Sequence, residues 1–126
     1  MKWQRAEEAA RASERRQREA EAPRLARLFP TLQSLQLQIE EHSSNISRPE
    51  STHKRHVVVA SAPALFVLPC HDSQCKGGGH DITEQVLAAL RARAGRFTAE
   101  DACLGAVGMG QCSRVLHFVG IAAYGI

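Results

Sequence analysis

The sequence lacks both a membrane-spanning run and a secretory signal. A spanning helix needs about 20 consecutive apolar residues, and the chain contains no such run. Residues 1–22 are charged throughout, unlike the apolar stretch of an export signal. We therefore expect a cytoplasmic protein. In that reducing compartment cysteines are more often metal ligands or reactive thiols than disulfides.

Aromatic residues are scarce, at 5% of the chain. Surfaces that stack single-stranded nucleic acid need interleaved aromatic side chains, whereas Phe66, Phe97, Phe118 and Tyr124 lie in apolar surroundings typical of a core. No Cys-x-x-Cys is present, which disfavours an enzyme of thiol–disulfide exchange. The composition thus argues against a base-stacking platform and against a redox-exchange enzyme.

The charge is unevenly distributed along the 126 residues. Residues 1–29 hold eight Lys or Arg and five Glu, whereas residues 30–126 hold eight of each sign. We predict a basic helical extension over residues 1–29 and a small α/β domain over residues 30–126. The positive surplus favours an anionic partner, such as RNA, a ribosome or an acidic protein. Pairing of this helix in a homodimer is the alternative.

Residues 3–28 predict one long helix, because they are rich in Ala, Glu, Arg and Gln. Its first two-thirds has no apolar stripe, which is typical of a solvated helix. Pro23 is expected to break or kink the helix, or to begin a second one. After it, Leu25, Leu28 and Phe29 form an apolar patch that could dock on the domain.

The rest of the chain predicts an α+β fold. Alternating apolar residues and β-branched residues indicate strands, and capping residues indicate a helix. The first half of the domain contains a strand at 35–40, a polar loop at 42–53 and a strand at 55–68 that Pro63 interrupts. The second half contains a helix from the N-cap Asp81 to about 94 with Gly95 as its stop, a strand at 96–102, a loop at 104–111 and a strand at 113–124. Both faces of the last strand are apolar, which places it centrally. We therefore expect a long N-terminal helix followed by a small, mostly antiparallel four-stranded sheet with one packed helix.

The four cysteines form two pairs, Cys70-x4-Cys75 and Cys103-x8-Cys112. Each pair lies on a predicted turn, and structural zinc is held by thiolates that two such turns deliver. The pattern predicts a four-cysteine metal site that holds zinc. Burial as small apolar residues and disulfides in an exported protein remain alternatives. Another alternative is a nucleophilic thiol, Cys70 or Cys75, paired with His71 or His80. Either histidine could also replace a cysteine as a metal ligand or donate a hydrogen bond to a thiolate.

Part of this pattern resembles the thioredoxin-like [2Fe-2S] ferredoxins. The segment Cys103-Leu104-Gly105-x-x-Gly108-x-Gly110 is similar to their second cysteine turn, and the order strand, Cys, helix, strand, Cys agrees. That family places its last cysteine where this chain has Val107, so Cys112 would have to be the ligand. The resemblance implies a [2Fe-2S] cluster in an electron carrier or redox sensor.

A second resemblance covers most of residues 25–126. The chain resembles small uncharacterised bacterial four-cysteine α/β proteins of this length, through Phe29-Pro30 before an alternating strand, Pro69-Cys70-x4-Cys75, the Cys103-x-Gly105 turn, and a strand from Cys112 that ends at Tyr124. This resemblance implies no particular activity. We therefore expect a non-enzymatic, zinc-stapled binding module whose basic N-terminal helix docks on a larger partner, with the [2Fe-2S] protein as the alternative.

Overall fold

The computed structural model describes residues 2–43, 51–70 and 75–125. The elements in chain order are α1 (Lys2–Glu21), α2 (Leu25–Leu28), β1 (Leu32–Ser43), β2 (Ser51–Val57), β3 (Val67–Leu68), β4 (His80–Asp81), α3 (Thr83–Arg91), β5 (Arg96–Ala102), β6 (Ala106–Val107), β7 (Gly110–Gln111) and β8 (Arg114–Tyr124). Within these ranges, no helix combines the length and the apolar character that crossing a membrane requires.

A four-stranded antiparallel sheet organises the molecule, with strand order β2-β1-β8-β5. The expected α+β class is confirmed, and β8 occupies the central position that its apolar faces predicted. Opposite Ile39 of β1 lies Phe118 of β8, and opposite Phe118 lies Ala99 of β5. This register puts the alternate apolar residues of neighbouring strands on one side of the sheet.

One face of the sheet forms the core together with α3. Leu35, Leu37 and Ile39 of β1 are buried in one cluster with Val86 and Leu90 of α3. Their spacing explains the packing, because every second residue of a strand points to the same face and residues four apart lie on one face of a helix. The packed helix predicted from sequence is therefore present.

The second strand is shorter than predicted. Instead of running from 55 to 68, β2 ends at Val57 and the chain turns there, with the Ala62 N–H donating to the Val58 carbonyl at 2.9 Å. Pro63 then forms an isolated bridge with Arg24, outside the main sheet. Proline cannot donate to a sheet ladder, which accounts for the interruption. The last two residues of the predicted strand, Val67 and Leu68, form the separate short strand β3.

The polar loop predicted at 42–53 is also wrong at both ends. Strand β1 continues to Ser43 and β2 begins at Ser51, with Glu40 opposite Thr52 and Glu41 opposite Ser51. Pairing with a strand that is already held on its other side by β8 outweighs the weak strand preference of these polar residues. Residues 44–50 lie outside the described ranges.

The helix ends agree with the sequence at Pro23 and differ from it around α3. A break separates α1 from α2, and Leu25 is fully buried in the core, so the predicted docking of the apolar patch occurs at this residue. The position of the boundary between extension and domain stays a prediction.

At α3, Ile82 rather than Asp81 is the N-cap, and Asp81 instead accepts a hydrogen bond from the Thr83 N–H at 3.1 Å. This places the aspartate one residue too early to cap, although it still satisfies an N–H of the first turn. The helix ends at Arg91, and Arg93 takes the left-handed backbone conformation (φ 54°) that was expected at Gly95. The short helix therefore spans Thr83–Arg91 rather than reaching residue 94.

Candidate metal centre

Two loops at one end of the molecule carry the four cysteines. The first cysteine loop (residues 69–79) joins β3 to β4, and the second cysteine loop (residues 103–113) joins β5 to β8. Their backbones pair directly: the Lys76 N–H donates to the Ala106 carbonyl at 2.8 Å, and the Ala106 N–H donates to the Lys76 carbonyl at 2.9 Å. These two bonds hold the loops face to face.

The paired loops bring all four cysteines together. The Sγ atoms of Cys70, Cys75, Cys103 and Cys112 all lie within 4.8 Å of one another. The Cys70 and Cys112 sulfurs are 3.7 Å apart, and the Cys75 and Cys103 sulfurs are 3.6 Å apart. No disulfide bond joins any of the four cysteines in the structure. The cluster is therefore of a size that could hold one metal ion.

These separations suit tetrahedral thiolate coordination. Zinc–sulfur bonds are about 2.3 Å long, so the sulfurs of a regular zinc tetrahedron lie about 3.8 Å apart. Two contacts in the cluster, at 3.6 and 3.7 Å, are close to that edge length. Tetrahedral sets of four thiolates are typical of zinc and of iron–sulfur centres. The donor set thus fits a metal ion, and its identity is a separate question.

Two glycines make this convergence possible. A Cβ atom on Gly78 would overlap the sulfurs of Cys75 and Cys103, and a Cβ on Gly105 would lie 2.5 Å from the Cys75 sulfur and 2.7 Å from the Gly78 Cα. Any side chain at either position would therefore push the loops apart. Sequence analysis missed this role, although the signal was present: a glycine follows Cys75 by three residues and Cys103 by two.

Backbone N–H groups bias the charge of the cluster toward Cys103. Burial raises the pKa of this thiol, but hydrogen bonds from the backbone of Gly105 and Gly79 outweigh burial and bring the pKa below its ordinary value. The Gly79 nitrogen lies 3.4 Å from the Cys103 sulfur. Burial and the hydrogen bond to Cys103 raise the pKa of Cys75 to about 11. In the metal-free protein Cys103 is therefore the preferred thiolate, and Cys75 must give up a proton when a cation binds.

The histidines that flank the cysteines do not join the cluster in the described residues. His71 lies outside those residues. His80 is fully buried, and its Nδ1 lies 2.9 Å from Oδ2 of Asp101, while its Nε2 is 3.9 Å from Oε1 of Glu41. Among the described residues, the group that could hold a metal ion consists of the four cysteines. Sequence analysis missed this buried Glu–His–Asp arrangement, which was detectable because Glu41 occupies the same strand face as Leu35, Leu37 and Ile39.

A cleft of about 820 Å³ opens between α1 and the first cysteine loop. Arg11, Arg15 and Arg18 line one wall, and both cysteines of the first loop, with residues 77–79, line the opposite one. Helix α1 is held there by an ion pair of 3.2 Å between Arg18 and Asp81. Three carboxylates, of Glu14, Asp81 and Asp101, line the same cleft, so it carries charges of both signs near the cysteine cluster.

Fold and site together define an α+β protein with a four-cysteine cluster able to hold a metal ion. Neither family models, nor curated proteins, nor solved structures give a match to this chain. The two family resemblances therefore stay predictions, and the chemistry of the site has to be argued from its geometry.

Proposed function

We propose that this protein is a non-enzymatic binding module whose fold is stapled by one zinc ion on Cys70, Cys75, Cys103 and Cys112. The observation that carries the proposal is the convergence of four sulfurs within 4.8 Å, on two loops that pair through their backbones. In a reducing cytoplasm, where we place the protein, such thiols stay available for the metal.

The staple has a clear energetic purpose. The elements around the cysteines are short, since β3, β4, β6 and β7 have two residues each. Such strands bury little apolar surface, and an isolated two-stranded hairpin is marginal in water. A metal that binds only the folded arrangement adds its binding free energy to folding. Zinc would therefore stabilise the end of the molecule where the core contributes least.

The [2Fe-2S] alternative is disfavoured by the same geometry. In a [2Fe-2S] cluster the four thiolates are divided between two irons, so sulfurs on different irons must be much farther apart than sulfurs on one metal. Here all four sulfurs lie within 4.8 Å of one another. A single ion therefore fits the cluster better than a dinuclear one. A lone iron would share the tetrahedral arrangement, so metal analysis has to separate it from zinc.

The proposed partner is anionic, and RNA is the example we test. Helix α1 carries Arg11, Arg15, Arg16 and Arg18, and every side chain of α1 that the structure describes is at least partly exposed. Arginine and phosphate pair strongly, in bidentate geometry. RNA, whether free or in a ribosome, would meet these arginines first. An acidic protein or a second copy of α1 would be seen as binding without RNA or as a dimer in solution.

The zinc staple is tested by metal analysis and chelation. We expect elemental mass spectrometry to find one zinc per chain. When a chelator removes the zinc, thermal stability measured by circular dichroism should fall markedly. Substitution of Ser for Cys70, Cys75, Cys103 or Cys112 should abolish stoichiometric zinc to a similar degree, because each change removes one of four ligands.

The matched control is Met109→Ser, which changes a fully exposed residue of the second cysteine loop. It should retain zinc and melt like the unaltered protein. A colourless protein without metal whose melting ignores chelator would refute the staple. A brown protein whose visible absorption dithionite bleaches would establish the iron–sulfur alternative instead.

A further inference from the structure

We propose that the cysteine cluster is also a site of oxidative modification, at which a hydroperoxide converts the four thiolates into two disulfides, Cys70–Cys112 and Cys75–Cys103. This inference rests on the proposed metal centre, because the same reaction would release the metal. The proposal names the oxidant, the two disulfides that form, and the replacement of the metal cross-link by disulfide cross-links.

The pairing follows from the distances. Two close sulfur contacts each join one cysteine of the first loop to one of the second, at 3.7 Å for Cys70 and Cys112 and 3.6 Å for Cys75 and Cys103. A disulfide bond is about 2.05 Å long, so each pair has to close by roughly 1.6 Å. The two bonds are nested along the chain, since Cys75 and Cys103 lie between Cys70 and Cys112. Both can therefore form in one molecule.

Access divides each pair into two roles. Cys70 and Cys75 are partly exposed and line the cleft of about 820 Å³, whereas Cys112 and Cys103 are buried. A small oxidant that enters the cleft meets one sulfur of each pair first. The buried sulfur of the same pair then lies within 3.7 Å and is shielded from the oxidant. An exposed attacking thiol beside a resolving thiol is the usual arrangement of oxidation-sensitive cysteines.

The chemistry balances with hydrogen peroxide as the oxidant. With the metal bound, the exposed sulfur is a thiolate. It attacks one peroxide oxygen, so that an S–O bond forms, the O–O bond breaks, and hydroxide leaves and is protonated to water. The buried thiolate then attacks the sulfenic sulfur, so that an S–S bond forms, the S–O bond breaks, and a second water leaves. Two sulfurs lose two electrons, which one peroxide accepts. Two peroxides therefore consume all four ligand charges, and the metal departs.

The product should keep its fold. Each disulfide joins the same two loops that the metal joins, and the cross-links span 42 and 28 residues. Links of this span stabilise a fold mainly by restricting the unfolded chain. We therefore expect the oxidised, metal-free protein to melt above the reduced, metal-free protein. Oxidation would replace the metal cross-link by two disulfide cross-links, and would bond both cysteines that line the cleft to the second loop.

The test treats the zinc-loaded full chain with hydrogen peroxide, follows zinc release with a chromogenic chelator and maps disulfides under non-reducing conditions. Cleavage before Asp72 and after Met109 separates the two cysteines of each loop, so cross-loop and within-loop bonds give different masses. We expect two peroxides per zinc released, with the pairs 70–112 and 75–103. Bonds 70–75 or 103–112, sulfinic acids without disulfides, or thiols that stay reduced would overturn the proposal.

Two additions separate this inference from the proposed function. The reduced, metal-free chain is treated in parallel: cross-loop disulfides there, in a protein that never binds zinc, would support the pairing and refute the zinc staple. Cys112→Ser should leave Cys70 as a sulfenic acid that dimedone traps, while the 75–103 bond still forms. If Cys112→Ser leaves Cys70 unmodified, the assignment of Cys70 as the attacking sulfur is wrong.

Discussion

At the scale of single residues, the cluster depends on atoms that are absent as much as on its four sulfurs. Gly105 packs its Cα against Gly78, and a methyl group there would lie 2.5 Å from the Cys75 sulfur. Gly110 lies in the same loop, but a methyl group on it would meet its nearest atom, the Val107 carbonyl oxygen, at an ordinary 3.8 Å. The two glycines therefore form a matched pair for substitution.

Gly105→Ala should weaken zinc binding strongly, and Gly110→Ala should not. Overpacking of a tight site costs about 1–3 kcal/mol, which corresponds to a loss of affinity of roughly fivefold to 150-fold. Competition with a chelator of known affinity measures the effect for both variants. Equal affinities of the two variants would mean that the loops have room to move apart and that Gly105 is not required for convergence.

The ligands could be predicted from sequence, but their neighbours could not. Cys70, Cys75, Cys103 and Cys112 were found because two pairs on turns form a recognisable pattern and cysteine is chemically distinctive. Gly78 and His80 act through contacts with residues far along the chain. Those contacts arise only when the two loops pair, so nothing in the local sequence specifies them.

At the scale of elements, Asp81 links α1 to the start of α3. It accepts hydrogen bonds from the Thr83 N–H at 3.1 Å and from Arg18 at 3.2 Å. Partial burial acts to raise the pKa of Asp81, but the bonds from Thr83 and Arg18 together hold it below the ordinary value of 3.8. The folded protein therefore favours the ionised carboxylate. This stabilisation is present above the unfolded pKa and is lost as pH falls through the lower, folded pKa.

Asp81→Asn should lower the melting temperature by a few degrees at pH 7, because an exposed ion pair and one turn contact are small contributions. The difference from the unaltered chain should persist down to about pH 5 and shrink below the ordinary pKa of aspartate. Thermal melts of both proteins from pH 7 to pH 3 measure it, with Glu84→Gln in the same turn as control. A difference that grows on acidification would show that the pKa has been raised instead.

Elements were predictable where their own residues determine them. Strand β8 was placed centrally because both of its faces are apolar, and it lies between β1 and β5. The start of β2 was assigned to a loop because residues 51–53 are polar. Pairing with β1 makes them a strand, and such a partner is chosen by the fold as a whole. The same holds for β3, which lies outside the main sheet and pairs with β4.

At the scale of the whole molecule, α1 is joined to the rest by a small number of contacts. Among the side chains that the structure describes, the partly buried residues of α1 and of the residue that follows it include no large apolar side chain: they are Ala12, Arg15, Glu19 and Ala22. The fully buried anchor is Leu25, beyond the break at Pro23. The sequence predicted a poorly buried helix from its lack of an apolar stripe. It could not predict on which side of the domain the helix lies, since that depends on Arg18 meeting Asp81.

Deletion of residues 1–22 should therefore leave the melting temperature almost unchanged, within a few degrees, because it removes an exposed ion pair and little buried area. RNA binding, measured by fluorescence anisotropy, should weaken on deletion. For the full chain it should weaken as salt rises, since arginines that contact phosphates release counterions.

Arg15→Gln and Arg16→Gln then separate two surfaces, because Arg15 lines the cleft and Arg16 is exposed outside the cleft lining. Each arginine that contacts a phosphate should reduce the salt slope by about one when it is removed. If the domain unfolds without residues 1–22, α1 is structural. If RNA binding changes neither with salt nor on deletion, the partner is not anionic.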